Sequence, residues 1–402
     1  MMNTFCFVGL DIGHYNIAVC IIDEAENKLA NFAINQTHQG YQQLIDKLLQ
    51  LKADGLIPIV ASEGHDGNLA PLDEYLLNEA ILFKPLHPTA VNRYKDFLGA
   101  PHKTDDYDAY VIADFLRTQH AKIPAHQHQK NSAEFKNLSR TYKAFSKTKT
   151  QFTNQLRCEL MSYFPELVTD SICSSITSKT FLHLLVEYPT PEHVRNSSVE
   201  ELNVFIGKHS KNRLGRRSAD KLMQLAESVH RYPSHLDTKA LVVQTLAQQI
   251  LTLAQNLTQL EKQLKTLAKE SLEIQRIASI PGASVITAAR LLGEVCNINR
   301  FKTEAKLAMY CGLSPVPDDS GKRKGFHRTT HRANKVAKDA IIQIAESNRR
   351  YCASSTTYYL KKRKAGLSHW QAVKCLARQL IRVIFALFRD DTFYRHKNST
   401  AT

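Results

Sequence analysis

The sequence predicts an α/β domain at the N-terminus, followed by a long and mostly helical remainder. Short apolar runs of strand length alternate with helical patterns over residues 1–125, whereas apolar residues at three- and four-residue steps dominate the rest of the chain. A chain of 402 residues has room for two or three domains. We therefore divide it into an N-terminal domain over 1–125, a helical and coiled-coil region over 126–275, and a C-terminal domain over 276–402.

The elements of the N-terminal domain follow from its apolar runs. Phe5–Ile22 holds two such runs around a glycine-containing turn, which predicts a β-hairpin with Asp11 at the end of its first strand. The elements predicted after this hairpin are a strand at Leu29–Ile34, a helix at Gly40–Leu51, a strand at Ile57–Ser62, a helix at Leu69–Asn78, a strand at Ile81–Leu86 and a helix at Asp105–Arg117. The order β-β-β-α-β-α-β-α fits a ribonuclease-H-like sheet.

Long helices are predicted in the middle of the chain. A polar linker at Ala125–Ser132 precedes a helix over Phe135–Tyr163, which Pro165 is expected to end. Residues 166–235 predict short helices, suggest no chemistry and are interpreted as an insertion. Apolar residues over 243–267 alternate by three and four, which favours a coiled coil over an ordinary bundle helix. This coiled coil could pair with the earlier long helix or with another subunit.

A helical hairpin is predicted at the start of the C-terminal domain. Ile277–Val295 contains a Pro-Gly turn between two helical patterns, which resembles a helix-hairpin-helix, a motif that offers backbone amides to DNA phosphates. Ser284 stands where such a hairpin usually has its second glycine. The fold of the hairpin is therefore predicted, whereas its contact with phosphate is left open.

The charge changes sign along the chain. Met1–His120 carries 8 Lys and Arg against 16 Asp and Glu, a net of −8, whereas Ser320–Arg378 carries 15 against 2, a net of +13. The formal net charge of the whole chain is +15, which indicates a polyanionic partner. This asymmetry favours a first domain whose acids bind cations and a last domain whose basic surface binds nucleic acid. A basic face that only increases solubility would give the same charge pattern.

Cysteine usage and hydropathy narrow the class of protein. The eight cysteines form no Cys-x-x-Cys pair, and a chain of this length does not need disulfides, so we expect reduced thiols in the cytoplasm. No apolar run approaches the ~18 residues of a membrane span, and no basic segment precedes the first apolar run as in a signal peptide. A membrane partner is therefore not expected.

Four acidic residues are candidates for a metal site. Asp11 and Glu63 lie at the ends of predicted strands, and Asp105 and Asp108 project from the same side of a helix start. Each alone would be a solvated surface carboxylate, but four converging carboxylates would repel one another unless divalent cations joined them. Two Mg²⁺ ions, or Mn²⁺ in their place, would then support phosphoryl transfer. Asp106, which is adjacent to Asp105, could replace it as a metal ligand, but it ranks below Asp105 because of its spacing and motif context.

The motifs around these acids resemble a known family. GLDIG with Asp11, ASEG with Glu63 and HKTDDYDAYVIADFLR with Asp105 and Asp108 resemble the DEDD motifs of IS110-family transposases, which are related to the Piv invertases. SIPGASVITAARLLGEV and the segment RFKTEAKLAMYCGLSPVPDDSGKRKGFHRTTHRANKVAKDAI resemble the second conserved region of that family. The resemblance covers about residues 5–120 and 275–390. It implies a RuvC-like catalytic domain, a coiled-coil arm and a C-terminal transposase domain.

The resemblance also implies a serine nucleophile at Ser320, in a Ser-Gly step that alone would indicate only a turn. Members are similar to bridge-RNA-guided recombinases, so a structured non-coding guide RNA, donor DNA and target DNA are expected partners. Because Ser320 lies more than 200 residues after the acids, we expect them to meet by folding back or in a homodimer that assembles to a tetramer. A bacterial, nucleoid-associated protein is implied.

Basic side chains near Ser320 and beyond are candidates for nucleic-acid binding. They form one group around Ser320 and a second group in the last hundred residues: Lys322, Arg323, Lys324, Arg328, Arg332, Lys361, Lys362, Arg363 and Lys364. Trp370, the only tryptophan, is interpreted as a core anchor in preference to a base-stacking platform.

Three other functions stay open at this point. A RuvC-type junction nuclease would share the four acids but would not need Ser320. An ATPase similar to actin and sugar kinases also carries an Asp-Gly turn in its first strands, but it needs further Gly-rich loops that we do not find. A non-catalytic RNA-binding scaffold would not need acids at all four motif positions.

Overall fold

The computed structural model of the chain describes residues 4–64, 70–99, 104–125, 132–170, 172–173, 175–229, 235–317, 327–329 and 333–395. The chain divides into two compact units, residues 1–128 and 129–402. The first unit is a mixed α/β structure and the second is mostly helical, which confirms the predicted fold class at this level.

The first unit is built on one five-stranded sheet in the order β3-β2-β1-β4-β5. Its strands are β1 (Thr4–Ile12), β2 (Asn16–Asp23), β3 (Lys28–Asn35), β4 (Leu56–Glu63) and β5 (Leu82–Leu86), and its helices are α1 (His38–Ala53), α2 (Ala70–Asn78), α3 (Pro88–Leu98) and α4 (Asp105–Gln119). β1 pairs antiparallel with β2 and parallel with β4, and β5 continues the parallel part. The first three strands therefore form a meander, and the last two are joined through helices.

Helices cover both faces of this sheet. Alternate residues of β1 point to opposite faces, so each set packs against different helices. Val8 and Leu10 belong to a core with α1 and α2, whereas Phe7 belongs to a second core with α3 and α4. The sequence interpretation missed α3. This helix begins with Pro88 and ends at Gly99 in a left-handed conformation, a pair of signals that mark a helix start and stop.

The second unit consists mainly of helices. They are α5 (Ser132–Met161), α6 (Pro165–Thr169), α7 (Lys179–Glu187), α8 (Pro191–Arg195), α9 (Val199–Ser210), α10 (Arg216–Ser228), α11 (Leu236–Lys269), α12 (Leu272–Ala278), α13 (Val285–Val295), α14 (Glu304–Tyr310), α15 (Lys335–Tyr351), α16 (Ala353–Lys364) and α17 (His369–Arg389), with a two-stranded sheet of β6 (Pro315–Pro317) and β7 (His327–Thr329). The sequence predicted that Pro165 ends α5. The helix stops earlier, at Met161, and Pro165 begins α6.

Two hydrophobic cores lie at the two ends of the long helices α5 and α11. Phe135 and Leu264 join the core with α13, α15 and α17, whereas Leu156 and Ile250 join the core with α7, α9 and α10. α5 packs along α11 between these cores. In that stretch the leucines of the predicted seam, such as Leu257, are only half-buried. The helices of the segment 166–235 thus share one core with the end of α5 and the first half of α11.

The predicted helical hairpin is present as α12 and α13, joined at Pro281-Gly282. A Cβ on Gly282 would lie 2.8 Å from the backbone of α15, and Asn348 of that helix donates its side-chain amide to the Pro281 carbonyl at 2.8 Å. Ser284 caps α13 in a capping box with Thr287. Packing on α15 therefore accounts for the glycine in this turn. In the part of the chain that the structure describes, no helix has the length and apolar character needed to cross a bilayer.

Candidate active site

The strand pairing of the central sheet brings two of the predicted acids to one edge. β1 and β4 are parallel, and their register pairs Leu10 with Ser62. The next residue of each strand is Asp11 and Glu63, near the carboxyl ends of both strands. Neighbouring parallel strands end at the same edge, so the two acids are placed side by side.

Close packing of α4 on β1 brings the other acids to the same edge. A Cβ on Gly9 would lie 2.0 Å from the Ala109 carbonyl oxygen and 2.5 Å from the Ala113 nitrogen, so only glycine permits this approach. Thr104 caps the helix by accepting the Tyr107 N–H at 3.3 Å. Asp105, Asp106 and Asp108 all lie in the first turn, where the helix dipole favours acids.

Gly9→Ala is expected to destabilise the first unit by about 1–3 kcal/mol, because α4 has to move away from β1 to admit a methyl group. Urea denaturation monitored by circular dichroism measures this loss. Gly215→Ala is the matched control, since its added Cβ meets nothing closer than 3.7 Å and its backbone is extended. Equal stability of the two variants would contradict the close approach of α4.

The acids share one electrostatic environment. Burial, and then the charges of Asp108, Asp105 and Glu63, raise the pKa of Asp11 to about 6. Burial and the charge of Asp108 also raise the pKa of Glu63. Asp106 contributes to neither shift; its charge instead helps to raise the pKa of the buried thiol of Cys20 on β2. Asp106 therefore belongs to a different side of the helix start, in agreement with its lower rank.

Lys95 of α3 is a functional candidate that the sequence interpretation missed. Its ammonium forms an ion pair with the Asp108 carboxylate, and both side chains are about three-quarters buried. The charge of Lys95 also lowers the pKa values of Asp11 and Glu63 and so offsets part of the repulsion between the acids. Recognising α3 from its Pro88 and Gly99 boundaries would have placed this lysine next to the sheet edge.

Carboxylate oxygens are suitable ligands for a hard divalent cation, but the side chains of these acids do not lie close enough together to bind one ion jointly. Over the described residues, no group of three or more His, Cys, Asp or Glu side chains lies close enough to hold a metal ion. Asp108 is paired with Lys95 instead, and the neighbouring carboxylates repel one another. The oxygen donors and the raised pKa of Asp11 fit a site that gains from added positive charge.

The predicted nucleophile and most of its basic neighbours lie outside the described residues: Ser320, Lys322, Arg323, Lys324 and Arg332. Arg328 is a residue of β7, which pairs antiparallel with β6. Lys361, Lys362, Arg363 and Lys364 form the last turn of α16. Lys362 lies 5.5 Å from the centre of the Tyr358 ring, and Arg363 donates to the Leu367 carbonyl at 2.7 Å.

A buried polar cluster joins the chain on both sides of residues 318–332. The backbone N–H of Asn334 donates to the Tyr310 carbonyl at 2.9 Å, and its side-chain amide donates to Glu294 at 2.7 Å. Glu294 is 4% exposed and also accepts two hydrogen bonds from Arg140. Although burial opposes it, these bonds lower the pKa of Glu294. Arg140 and Glu294 are 154 positions apart, which sequence spacing does not reveal.

The prediction that Trp370 anchors the core is wrong. Trp370 is 59% exposed, and its ring packs edge-on against His369 with the ring centres 4.8 Å apart. The buried stripe of α17 is formed instead by aliphatic residues such as Val373, Leu380 and Ile384. The first turn of α17 therefore presents an aromatic ring to solvent.

Two family models match the two regions that carry these features. The DEDD domain of IS110-type transposases matches residues 8–165, which include Asp11, Glu63, Asp105 and Asp108. The transposase model of the IS116/IS110/IS902 family matches residues 274–360. The fold and these matches define the class of protein as a transposase. The chain belongs to the IS110 family of insertion-sequence transposases.

Proteins of several insertion elements are similar over most of the chain. The IS110 protein of Streptomyces coelicolor is 29% identical over 77% of this chain and 76% of its own length. The IS116 protein of Streptomyces clavuligerus is 27% identical over 76% of this chain and 75% of its own length. The IS900 protein of Mycobacterium paratuberculosis is 26% identical over 98% of each chain, so that match extends across residues 166–235. These matches favour a transposase over the kinase-like ATPase.

Proposed function

We propose that this protein is the recombinase of an insertion sequence, which cuts donor and target DNA and rejoins the strands. The observation that carries the proposal is the placement of four acids, Asp11, Glu63, Asp105 and Asp108, around the ends of β1 and β4 and the start of α4. In this proposal the first unit is a RuvC-like catalytic domain. Family membership supports DNA as the substrate.

Asp11, Glu63, Asp105 and Asp108 would hold two Mg²⁺ ions, or Mn²⁺ in their place. Bound metal ions would supply positive charge for the attacking and leaving oxygens at phosphorus. The carboxylates would bind and position this charge, and the raised pKa of Asp11 reflects first its burial and then the repulsion from the neighbouring acids. Lys95 neutralises part of the acidic charge through Asp108. We propose that this lysine offsets part of the repulsion among the acids before metal and DNA are bound.

Ser320 is the proposed nucleophile for strand cleavage. Its hydroxyl would attack a DNA phosphate, form a phosphoserine bond and release a free 3′ or 5′ hydroxyl on the other strand end. The reverse attack by a hydroxyl end on the phosphoserine then rejoins DNA and restores the serine, so bond energy is conserved. Lys322, Arg323, Lys324, Arg328 and Arg332 would offset phosphate charge in this step.

The helices α5 and α11 are the proposed coiled-coil arm. Their packing within one chain leaves the seam leucines Leu253, Leu257 and Leu260 half-buried. Half-buried leucines at heptad spacing are available to a second copy. We propose that this arm supports a homodimer that assembles to a tetramer on donor and target DNA.

A structured non-coding guide RNA is the proposed source of target choice, with the C-terminal basic residues as its phosphate contacts. Replacing Lys361, Lys362, Arg363 and Lys364 by Ala should weaken binding to a transcript of the DNA that flanks the gene and to duplex DNA of the element ends. The slope of log affinity against log salt concentration should flatten by roughly 0.9 for each lost duplex-phosphate contact. Fluorescence anisotropy at several salt concentrations measures both quantities.

Lys265→Ala provides a control for this prediction, because Lys265 is an exposed lysine that already pairs with Glu261 at 2.7 Å. Its slope should match that of the wild type. An unchanged slope in the fourfold variant would show that the end of α16 faces solvent. Equal affinity of the wild type for the flanking transcript and for an unrelated RNA of the same length would contradict guidance by RNA.

A further inference from the structure

A cavity of about 680 Å³ lies beside the strand that leads into residues 318–326. Its wall includes Ser314 on one side and Tyr358 of α16 on another, and α17 contributes Gln371, Lys374, Arg378 and Gln379. This volume lies within the ~300–1,000 Å³ typical of small-molecule sites. Leu313, Pro315 and Leu367 also line the cavity, so it offers apolar surface beside hydrogen bonds and positive charge, which suits a nucleotide with its flat base and its anionic phosphate.

Two lysine amines lie near this cavity without a carboxylate partner among the described residues. Gly312 borders the cavity, and a Cβ on it would lie 3.6 Å from the ammonium nitrogen of Lys338. Burial and the charge of Lys374 lower the pKa of Lys338, which places the two amines near each other. Within the described ranges, no carboxylate lies within 4.0 Å of either amine. An anion between them would relieve this repulsion.

Arg378 adds a third positive group with unused hydrogen-bonding capacity. Its Nη2 lies 3.5 Å from Glu304, at the limit of a hydrogen bond. Its Nη1 is buried and has no hydrogen-bond partner among the residues that the structure describes. A buried guanidinium nitrogen without a partner is costly, and a phosphate oxygen would satisfy it.

An exposed aromatic ring continues this basic stripe along α17. Trp370, Lys374 and Arg378 are spaced four residues apart, so they lie on one side of the helix in successive turns. Trp370 is 59% exposed. Proteins that bind single strands combine an aromatic ring, on which a base stacks, with positive charge that follows the phosphates.

We propose that this cavity and Trp370 bind an unpaired stretch of nucleic acid, with a base on Trp370, phosphates at Lys374 and Arg378, and one nucleotide in the cavity. The side-chain amides of Gln371 and Gln379 have N–H groups that can donate to the Watson–Crick edge of a base, which a duplex would hide. The inference rests on the proposed function, since a strand end released by cleavage and an unpaired guide segment both supply this chemistry. The two sources differ in the sugar 2′-hydroxyl.

The test uses the full chain in chelator, so that binding is measured without cleavage. An eight-residue oligo-dT, an eight-residue oligo-U and an eight-base-pair DNA duplex are titrated, each with a fluorescent label. The single strands, but not the duplex, should quench Trp370, the only tryptophan of the chain. Trp370→Ala and Lys374→Gln should each weaken single-strand binding about tenfold and duplex binding less than twofold. Trp370→Phe should restore most of the affinity.

Arg389→Gln is the matched control, because it removes one positive charge from an exposed position at the other end of α17. It should leave single-strand binding unchanged. Tighter binding of oligo-dT assigns the site to DNA, and tighter binding of oligo-U assigns it to RNA. Equal losses in Lys374→Gln and Arg389→Gln, or duplex binding without single-strand binding, would overturn the inference and leave the proposed function standing. A wild type that binds none of the three probes would overturn both.

Discussion

Asp11→Asn is expected to abolish recombination and, at the same time, to stabilise the metal-free protein at neutral pH. The activity loss should be roughly a hundredfold or more, because the amide cannot provide the negative charge that the proposed metal ions need. Asp11 is the acid whose pKa is raised most clearly, to about 6, by burial and by Asp108, Asp105 and Glu63. The Asn side chain avoids both the burial of a charge and the repulsion.

The sign of this effect depends on pH. Well below the ordinary value of 3.8, the Asp11 carboxyl is protonated in the folded and the unfolded chain, so wild type and variant should be equally stable there. Between the ordinary value of 3.8 and about 6, the unfolded carboxyl ionises more readily than the folded one, and the wild type loses stability as the pH rises. Above pH 6 the Asn variant should be more stable by roughly 1–2 kcal/mol, after allowance for solvent screening.

Thermal denaturation in chelator at about pH 3 and at pH 8 measures this difference. Added Mg²⁺ should then stabilise the wild type and leave Asp11→Asn unchanged, since only a folded chain with its acids intact binds the ion. Asp106→Asn is the matched control and should keep most of the activity, because Asp106 contributes to neither the Asp11 nor the Glu63 shift. Full recombination by Asp11→Asn, or in chelator, would contradict the metal site.

Ser320→Ala is expected to leave nucleic-acid binding intact and to eliminate every covalent protein–DNA complex. Ser320 is the proposed attacking group, which the metal site would activate. Its removal should therefore lower cleavage by roughly a thousandfold or more. Wild-type protein is incubated with labelled donor DNA, the flanking transcript and Mg²⁺, then denatured and separated by electrophoresis. A protein-linked strand should form, and peptide mapping should place the phosphoserine at Ser320.

Asp11→Asn is the control for this experiment, since it retains Ser320 and should also form no adduct. Normal recombination by Ser320→Ala would show that the Ser-Gly step is only a turn. An adduct that maps to another side chain would contradict the assignment taken from the family resemblance.

Elements with strong local patterns were predictable from the sequence. Strands β1 to β5 consist of short apolar runs with clear ends, and α11 repeats its leucines over 34 residues. The placement of Asp11 and Glu63 followed in the same way, because each acid closes an apolar strand. Helix α3 was missed because only Val91 is fully buried on it, so its apolar pattern is weak.

Features that depend on distant parts of the chain were not predictable. Lys95 pairs with an acid 13 positions away on another helix, and Arg140 pairs with Glu294 over 154 positions. Trp370 was misassigned because a single aromatic residue on an amphipathic helix does not reveal which neighbours cover it. Only the packing of α16 and α17 shows that this ring remains exposed.

The fate of the DNA ends tests the central claim most directly. Wild type, Asp11→Asn and Ser320→Ala are each incubated with donor DNA, target DNA, the flanking transcript and Mg²⁺, and the products are scored by sequencing as intact, broken or joined to the other DNA. The proposed recombinase predicts donor–target junctions with the wild type alone. Broken strands without junctions, formed equally by the wild type and Ser320→Ala, would contradict it and identify a RuvC-type nuclease.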